Sequence, residues 1–120
     1  MDSIYNDRLK KYKDKVCSLE SKINRFVMLS QTNTLEETDD INSIVFKKYI
    51  ELSDVRRVAD YINSLGLKIP TNTYVGERKY LTNDITQILK SKAEVNPELR
   101  ECVSLMKELD KTFSKINIKI

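Results

Sequence analysis

The feature that most constrains the fold is a run of apolar residues near the N-terminus, spaced alternately four and three positions apart. Its seven members are Tyr5, Leu9, Tyr12, Val16, Leu19, Ile23 and Phe26. An α-helix turns once in 3.6 residues, so this spacing aligns all seven in the a/d heptad stripe of coiled coils. The pattern predicts a helix from about residue 3 to about residue 30, about 40 Å long. That is more helix than a core of this size requires.

The charges beside this stripe do not decide which helix pairs with it. In a parallel pair of identical helices, Arg8 would face Lys13, which is repulsive, and Lys15 would face Glu20, which is attractive. Residue types along the stripe favour two-stranded pairing, but these flanks do not specify self-association. Three partners fit: the chain's own last helix running antiparallel, a second copy, or a more acidic helix of another protein.

A second heptad stripe lies near the C-terminus. A capping Asn followed by Pro at Asn96-Pro97 predicts where its helix begins. The stripe itself consists of Leu99, Cys102, Met106, Leu109, Phe113, Ile116 and Ile120. The chain is therefore expected to begin and end with heptad helices.

The region between the two stripes predicts short helices and one irregular segment. Residues 33–40 are acidic without apolar periodicity and are typical of a linker, whose Asp39 or Asp40 could cap the next helix. Residues 41–65 predict one kinked helix or two consecutive ones, ending at Gly66. Residues 66–81 hold both glycines and predict a loop or small hairpin. A short helix follows, for which we expect a cap at Thr82 or Asn83.

These elements predict an all-α fold. We expect residues 1–32 to form the N-terminal coiled-coil helix, residues 33–40 an acidic linker, and residues 41–120 a small helical domain that ends in a heptad helix.

Composition argues against an enzyme. The chain has no histidine, which removes the usual base of nucleophilic triads and a common metal ligand, and no glycine-rich phosphate loop. Cys17 and Cys102 are far apart and predict free thiols, as in a cytoplasmic or nuclear protein. No apolar run approaches the length of a membrane span. We therefore expect no catalytic residue, no metal, no cofactor and no membrane partner.

The favoured hypothesis is an assembly subunit or adaptor that docks another protein, or a second copy, through its coiled-coil helices. The residues expected to contact the partner are Leu9, Tyr12, Val16, Leu19, Ile23 and Phe26. A basic run lies beside them and consists of Arg8, Lys10, Lys11, Lys13 and Lys15.

The alternative hypothesis is a dimeric DNA-binding regulator that uses residues 53–92. Residues 58–66 (VADYINSLG) and 81–90 (LTNDITQILK) resemble the helix-turn-helix half of large serine recombinases. Fifteen residues separate Gly66 from Thr82, so a winged arrangement would be needed in place of the usual short turn. That reading assigns Arg78 and Lys79 to phosphates, and it assigns to bases Asn83, Thr86, Gln87 and Lys90.

Overall fold

The computed structural model describes residues 3–31, 33–71, 74, 76–91 and 94–116, and of residues 3–5 it describes the backbone alone. These residues form helices and one short antiparallel hairpin, which confirms the predicted all-α class. In chain order the elements are α1 (Ser3–Gln31), α2 (Ile41–Leu52), α3 (Val55–Ser64), β1 (Ile69–Pro70), β2 (Glu77–Arg78), α4 (Thr82–Lys90) and α5 (Pro97–Lys115).

Residues 41–65 form two helices rather than one kinked helix. The Asp40 side chain caps α2 by accepting a hydrogen bond from the Ser43 N–H at 2.8 Å. Ser53 then adopts a left-handed conformation, with φ of 58°, which stops α2. Asp54 restarts the chain as α3 by accepting from the Arg56 N–H at 2.9 Å. A residue in the left-handed region followed by a new cap separates two helices more sharply than a kink would.

The predicted cap of α4 is wrong. The N-cap is Leu81, one residue before Thr82, and its side chain makes no capping hydrogen bond. The carboxylate of Asp84, at the third helical position, reaches back to accept from the Leu81 N–H at 2.8 Å. The carboxylate therefore satisfies a donor just ahead of the helix, and the hydroxyl of Thr82 and the amide of Asn83 are not needed as caps.

The start of α5 is as predicted. Asn96 Oδ1 accepts from the Glu98 N–H at 3.0 Å, and Pro97 occupies the first helical position. The helix ends at Lys115, so Ile116 stands exposed in a turn after the heptad stripe. Ile120, the last predicted member of that stripe, lies outside the described residues.

The hairpin lies between α3 and α4. Ile69 pairs with Arg78 across it, and Pro70 pairs with Glu77. Asn63 of α3 ties the following segment down through both of its side-chain polar atoms. Its Nδ2 donates to the Tyr80 carbonyl at 2.9 Å, and its Oδ1 accepts from the Tyr80 N–H at 2.8 Å.

The core forms where the helices meet around α2. α2 packs against α3, α4 and α5, while α3 also packs on α4 and α1 packs on α5. The cluster of buried apolar side chains comprises Leu29, Val45, Phe46, Ile50, Val58, Ala59, Ile62, Ile85, Leu89, Leu99, Cys102 and Val103. Among the residues described, no helix combines the length and apolar character needed to cross a membrane.

Candidate protein-docking surface

The second half of α1 belongs to the core region. Leu29 is buried, and Phe26 packs against the buried cluster from its edge. Leu19 and Ile23 are half-buried on the same side of the helix. The neighbour that covers this side is α5. The two heptad stripes therefore meet within one chain along this half of α1.

Two ion pairs flank this contact. Arg25 binds Glu101 through two hydrogen bonds, Nε to Oε2 at 2.7 Å and Nη2 to Oε1 at 3.2 Å, and Lys22 pairs with Glu108. The hydrogen bond from Arg25 lowers the pKa of Glu101. The later residue of α1 meets the earlier residue of α5, so the two helices run antiparallel along their contact.

The first half of α1 continues past this contact. We call residues 6–18 the projecting segment, because every side chain in it is exposed. Of its stripe residues, Tyr12 and Val16 are 60% and 62% exposed, and Leu9 is 39% exposed. Full burial of an exposed leucine or valine side chain is worth about 1.5–3 kcal/mol, and a partner would add the share of it that corresponds to the fraction still exposed. We call Leu9, Tyr12 and Val16 the docking seam.

The docking seam begins where α5 ends. A groove at this junction is lined by Val16 and Leu19 of α1 and by Thr112 and Ile116 at the end of α5. Val16 belongs to the docking seam, so the groove meets the seam at this residue. A helix laid on the seam would thus abut the end of α5 and follow the same side of α1.

The projecting segment also carries the charge of the protein. It has five cationic and two acidic side chains, while the remaining residues hold sixteen of each sign. The net charge of +3 of the whole chain therefore equals that of these thirteen residues. A neutral body carrying a basic helix favours acidic partners for that helix.

The six residues predicted to contact a partner fall into two groups, one on the side of α1 that packs against α5 and one exposed. Leu19, Ile23 and Phe26 lie on the side of α1 that α5 covers, whereas the side chains of the docking seam are exposed, with Val16 at the edge of the groove beside the end of α5. Tyr5 belongs to the same stripe, but its side chain lies outside the described part of the chain. The assignment of the seam to a partner stays a prediction.

Arg78, one of the predicted phosphate contacts, already forms an ion pair with a carboxylate of the same chain. It forms a bidentate pair with Asp84, Nη1 to Oδ2 at 2.7 Å and Nη2 to Oδ1 at 2.8 Å. The hydrogen bond from Arg78 is the main reason that the pKa of Asp84 is lowered, and burial opposes it. A phosphate would have to compete with this carboxylate for the guanidinium group.

The other residues predicted to bind DNA lie around α4. Lys79, Asn83, Gln87 and Lys90 are exposed, and Thr86 is half-buried and donates to the Thr82 carbonyl at 3.1 Å. Exposed polar residues on one short helix are common to any solvated surface. DNA binding by this region stays a prediction.

The acidic side chains that recognise α1 were missed by the sequence analysis. Glu101 and Glu108 are seven residues apart beside the last heptad stripe, which was the available signal. Their spacing matches that of flanking charges in a coiled coil, where such residues select the partner helix. Asn63, which binds the backbone of Tyr80 between the hairpin and α4, had no such signal, because a single amide in a helix predicts no particular contact.

Comparison with known proteins found no protein family, no curated protein and no solved structure that matches this chain.

Proposed function

We propose that this protein is a non-enzymatic assembly subunit or adaptor that docks another protein chain through the projecting segment of α1. The observation that carries the proposal is that the two halves of one heptad stripe differ in burial. α5 covers its second half, and its first half is exposed at Leu9, Tyr12 and Val16. A coiled-coil stripe left uncovered is an apolar surface that a second helix can bury.

A role in binding agrees with the residue types available. The sequence contains no histidine and no phosphate-binding glycine loop. Cys17 and Cys102 are both free thiols, which supports an intracellular setting. Cys102 is buried, and burial raises the pKa of its thiol, so it acts as a small apolar group in the core.

The test replaces residues of the docking seam and leaves the buried core unchanged. In the variants Val16→Asp and Leu9→Asp, each new charge must be buried in an apolar contact if the partner is to bind. We expect each to weaken binding by about 2 kcal/mol, roughly thirtyfold. The measurement is a pull-down from source extract with mass spectrometry, together with sedimentation of the purified chain.

Cys17→Asp is the matched control, because it adds the same charge to the neighbouring residue, on a side of the helix away from the seam. It should retain whatever the wild type captures. The proposal is wrong if Val16→Asp and Leu9→Asp retain the same captured proteins and the same sedimentation as the wild type, while circular dichroism shows unchanged helix content.

A further inference from the structure

We infer that the partner of the docking seam is an acidic amphipathic helix of another protein, which lies antiparallel to α1 in line with α5. This inference rests on the proposed function and adds the chemistry and direction of the partner.

The contact between α1 and α5 shows how this side of α1 is recognised. Apolar residues fill the stripe, and glutamates of α5 pair with the cations along its flank. Glu108 pairs with Lys22, and Glu101 pairs with Arg25. In the heptad that places Ile23 at position a, Lys22 occupies position g and Arg25 position c.

The projecting segment repeats this arrangement without the glutamates. Arg8 and Lys15 occupy the g positions, as Lys22 does, and Lys11 occupies the c position, as Arg25 does. All three side chains are exposed. A helix that continues the line of α5 would bring acidic residues, about seven apart, to these cations. The positive charges on this flank of α1 would then all be paired with carboxylates, in the projecting segment as in the half that packs against α5.

A second copy of this chain does not supply that helix. Its own projecting segment would bring Arg8, Lys11 and Lys15 against the same three cations. Its α5 has suitable glutamates, but Glu101 and Glu108 already pair with its own α1. Nucleic acid would neutralise the cations but would leave the apolar docking seam unburied. An acidic helix satisfies both features of the surface.

The experiment uses two synthetic helical peptides of about three heptads with the same apolar stripe, one with Glu and one with Lys at the flanking positions. Binding of each to the full chain is followed by fluorescence anisotropy at physiological salt. The Glu peptide should bind at least about tenfold more tightly, because every flanking pair changes from repulsion to attraction. Its advantage should shrink as salt rises.

Charge reversal in the protein provides the decisive comparison. The double variant Arg8→Glu/Lys15→Glu should prefer the Lys peptide, whereas Lys10→Glu, which reverses a charge away from the seam, should keep the wild-type preference. Equal or tighter binding of the Lys peptide to the wild type overturns the inference. Binding of neither peptide at about 1 mM overturns it as well.

Two further measurements separate the alternatives. A random DNA duplex that competes with the Glu peptide, or a wild type that dimerises through the seam in sedimentation, would overturn the acidic helix as partner. If Val16→Asp abolishes binding of both peptides and the two bind equally, docking at the seam stands and the acidic partner does not. If Val16→Asp affects neither peptide, the proposed function fails too.

Discussion

Asp84 performs two tasks at the junction between the hairpin and α4. Its carboxylate accepts the Leu81 N–H ahead of the helix and also binds the guanidinium group of Arg78. Arg78 belongs to β2, so one acidic side chain connects a strand to a helix start. The hydrogen bonds to this carboxylate keep its pKa low even though burial works in the opposite direction.

The lowered pKa of Asp84 predicts a pH-dependent contribution to stability. A carboxyl whose pKa is lower in the folded state stabilises the fold above its unfolded pKa of about 4 and loses that effect as pH falls through the folded value. Asp84→Asn should therefore cost about 1 kcal/mol near neutral pH, typical of a lost helix cap. The difference from the wild type should be smaller at about pH 3, below the unfolded pKa, than near neutral pH. Urea unfolding at both pH values measures it.

Asp60→Asn is the control for this experiment, because Asp60 is an exposed carboxyl in the middle of α3. It should change stability little at either pH. Equal effects of Asp84→Asn and Asp60→Asn would show that the junction carboxylate contributes nothing specific.

At the scale of the element, α1 is one helix in two environments. From Leu19 onward one of its sides packs against α5, while the side chains of residues 6–18 are all exposed. Isolated helical segments of this length are marginal in water, because little besides local propensity supports them. The projecting segment is stabilised chiefly by its continuity with the packed half.

This difference predicts a gradient of hydrogen exchange along α1. Amides of residues 6–16 should exchange through local opening at little free-energy cost, and amides of residues 22–30 should be protected by several kcal/mol. Exchange followed by NMR or mass spectrometry measures the gradient. Adding the Glu peptide should slow exchange in residues 6–16 and leave the body unchanged. Equally slow exchange along the whole helix without peptide would contradict this description.

The helices could be predicted from sequence because their signals are local. The stripe of α1, the cap at Asp40 and the Asn96-Pro97 start depend on residues within one or two turns of each other. The cap of α4 was mispredicted, because Asp84 replaced the nearer polar side chains. The pairing of Lys22 with Glu108 joins residues 86 positions apart, so no local pattern reveals it. The heptad spacing alone therefore could not show how much of the first stripe α5 covers.

At the scale of the whole molecule, the protein is elongated. Its extents are 75 × 26 × 23 Å and its radius of gyration is 19.1 Å. A compact domain of this length would have a radius of gyration of about 14 Å. The excess comes from the projecting segment, which extends α1 beyond the body.

Small-angle X-ray scattering should therefore give a radius of gyration near 19 Å at low protein concentration. Truncation of the first eighteen residues should bring it toward the compact value, since the rest of the chain forms the helical body. A full-length value near 14 Å would mean that α1 folds back on the body.

Because α1 is unbroken from the core to the docking seam, it also fixes the direction in which the seam faces relative to the body. Because each residue turns a helix by about 100° and advances it by 1.5 Å, the seam has a fixed azimuth and distance relative to the hairpin and α4. One residue inserted near Ser18 would rotate the seam by about 100° around the axis of α1. Seven inserted residues would nearly restore its original direction. Two partners, one on the seam and one on the body, would thus be held at a defined angle to each other by a single helix.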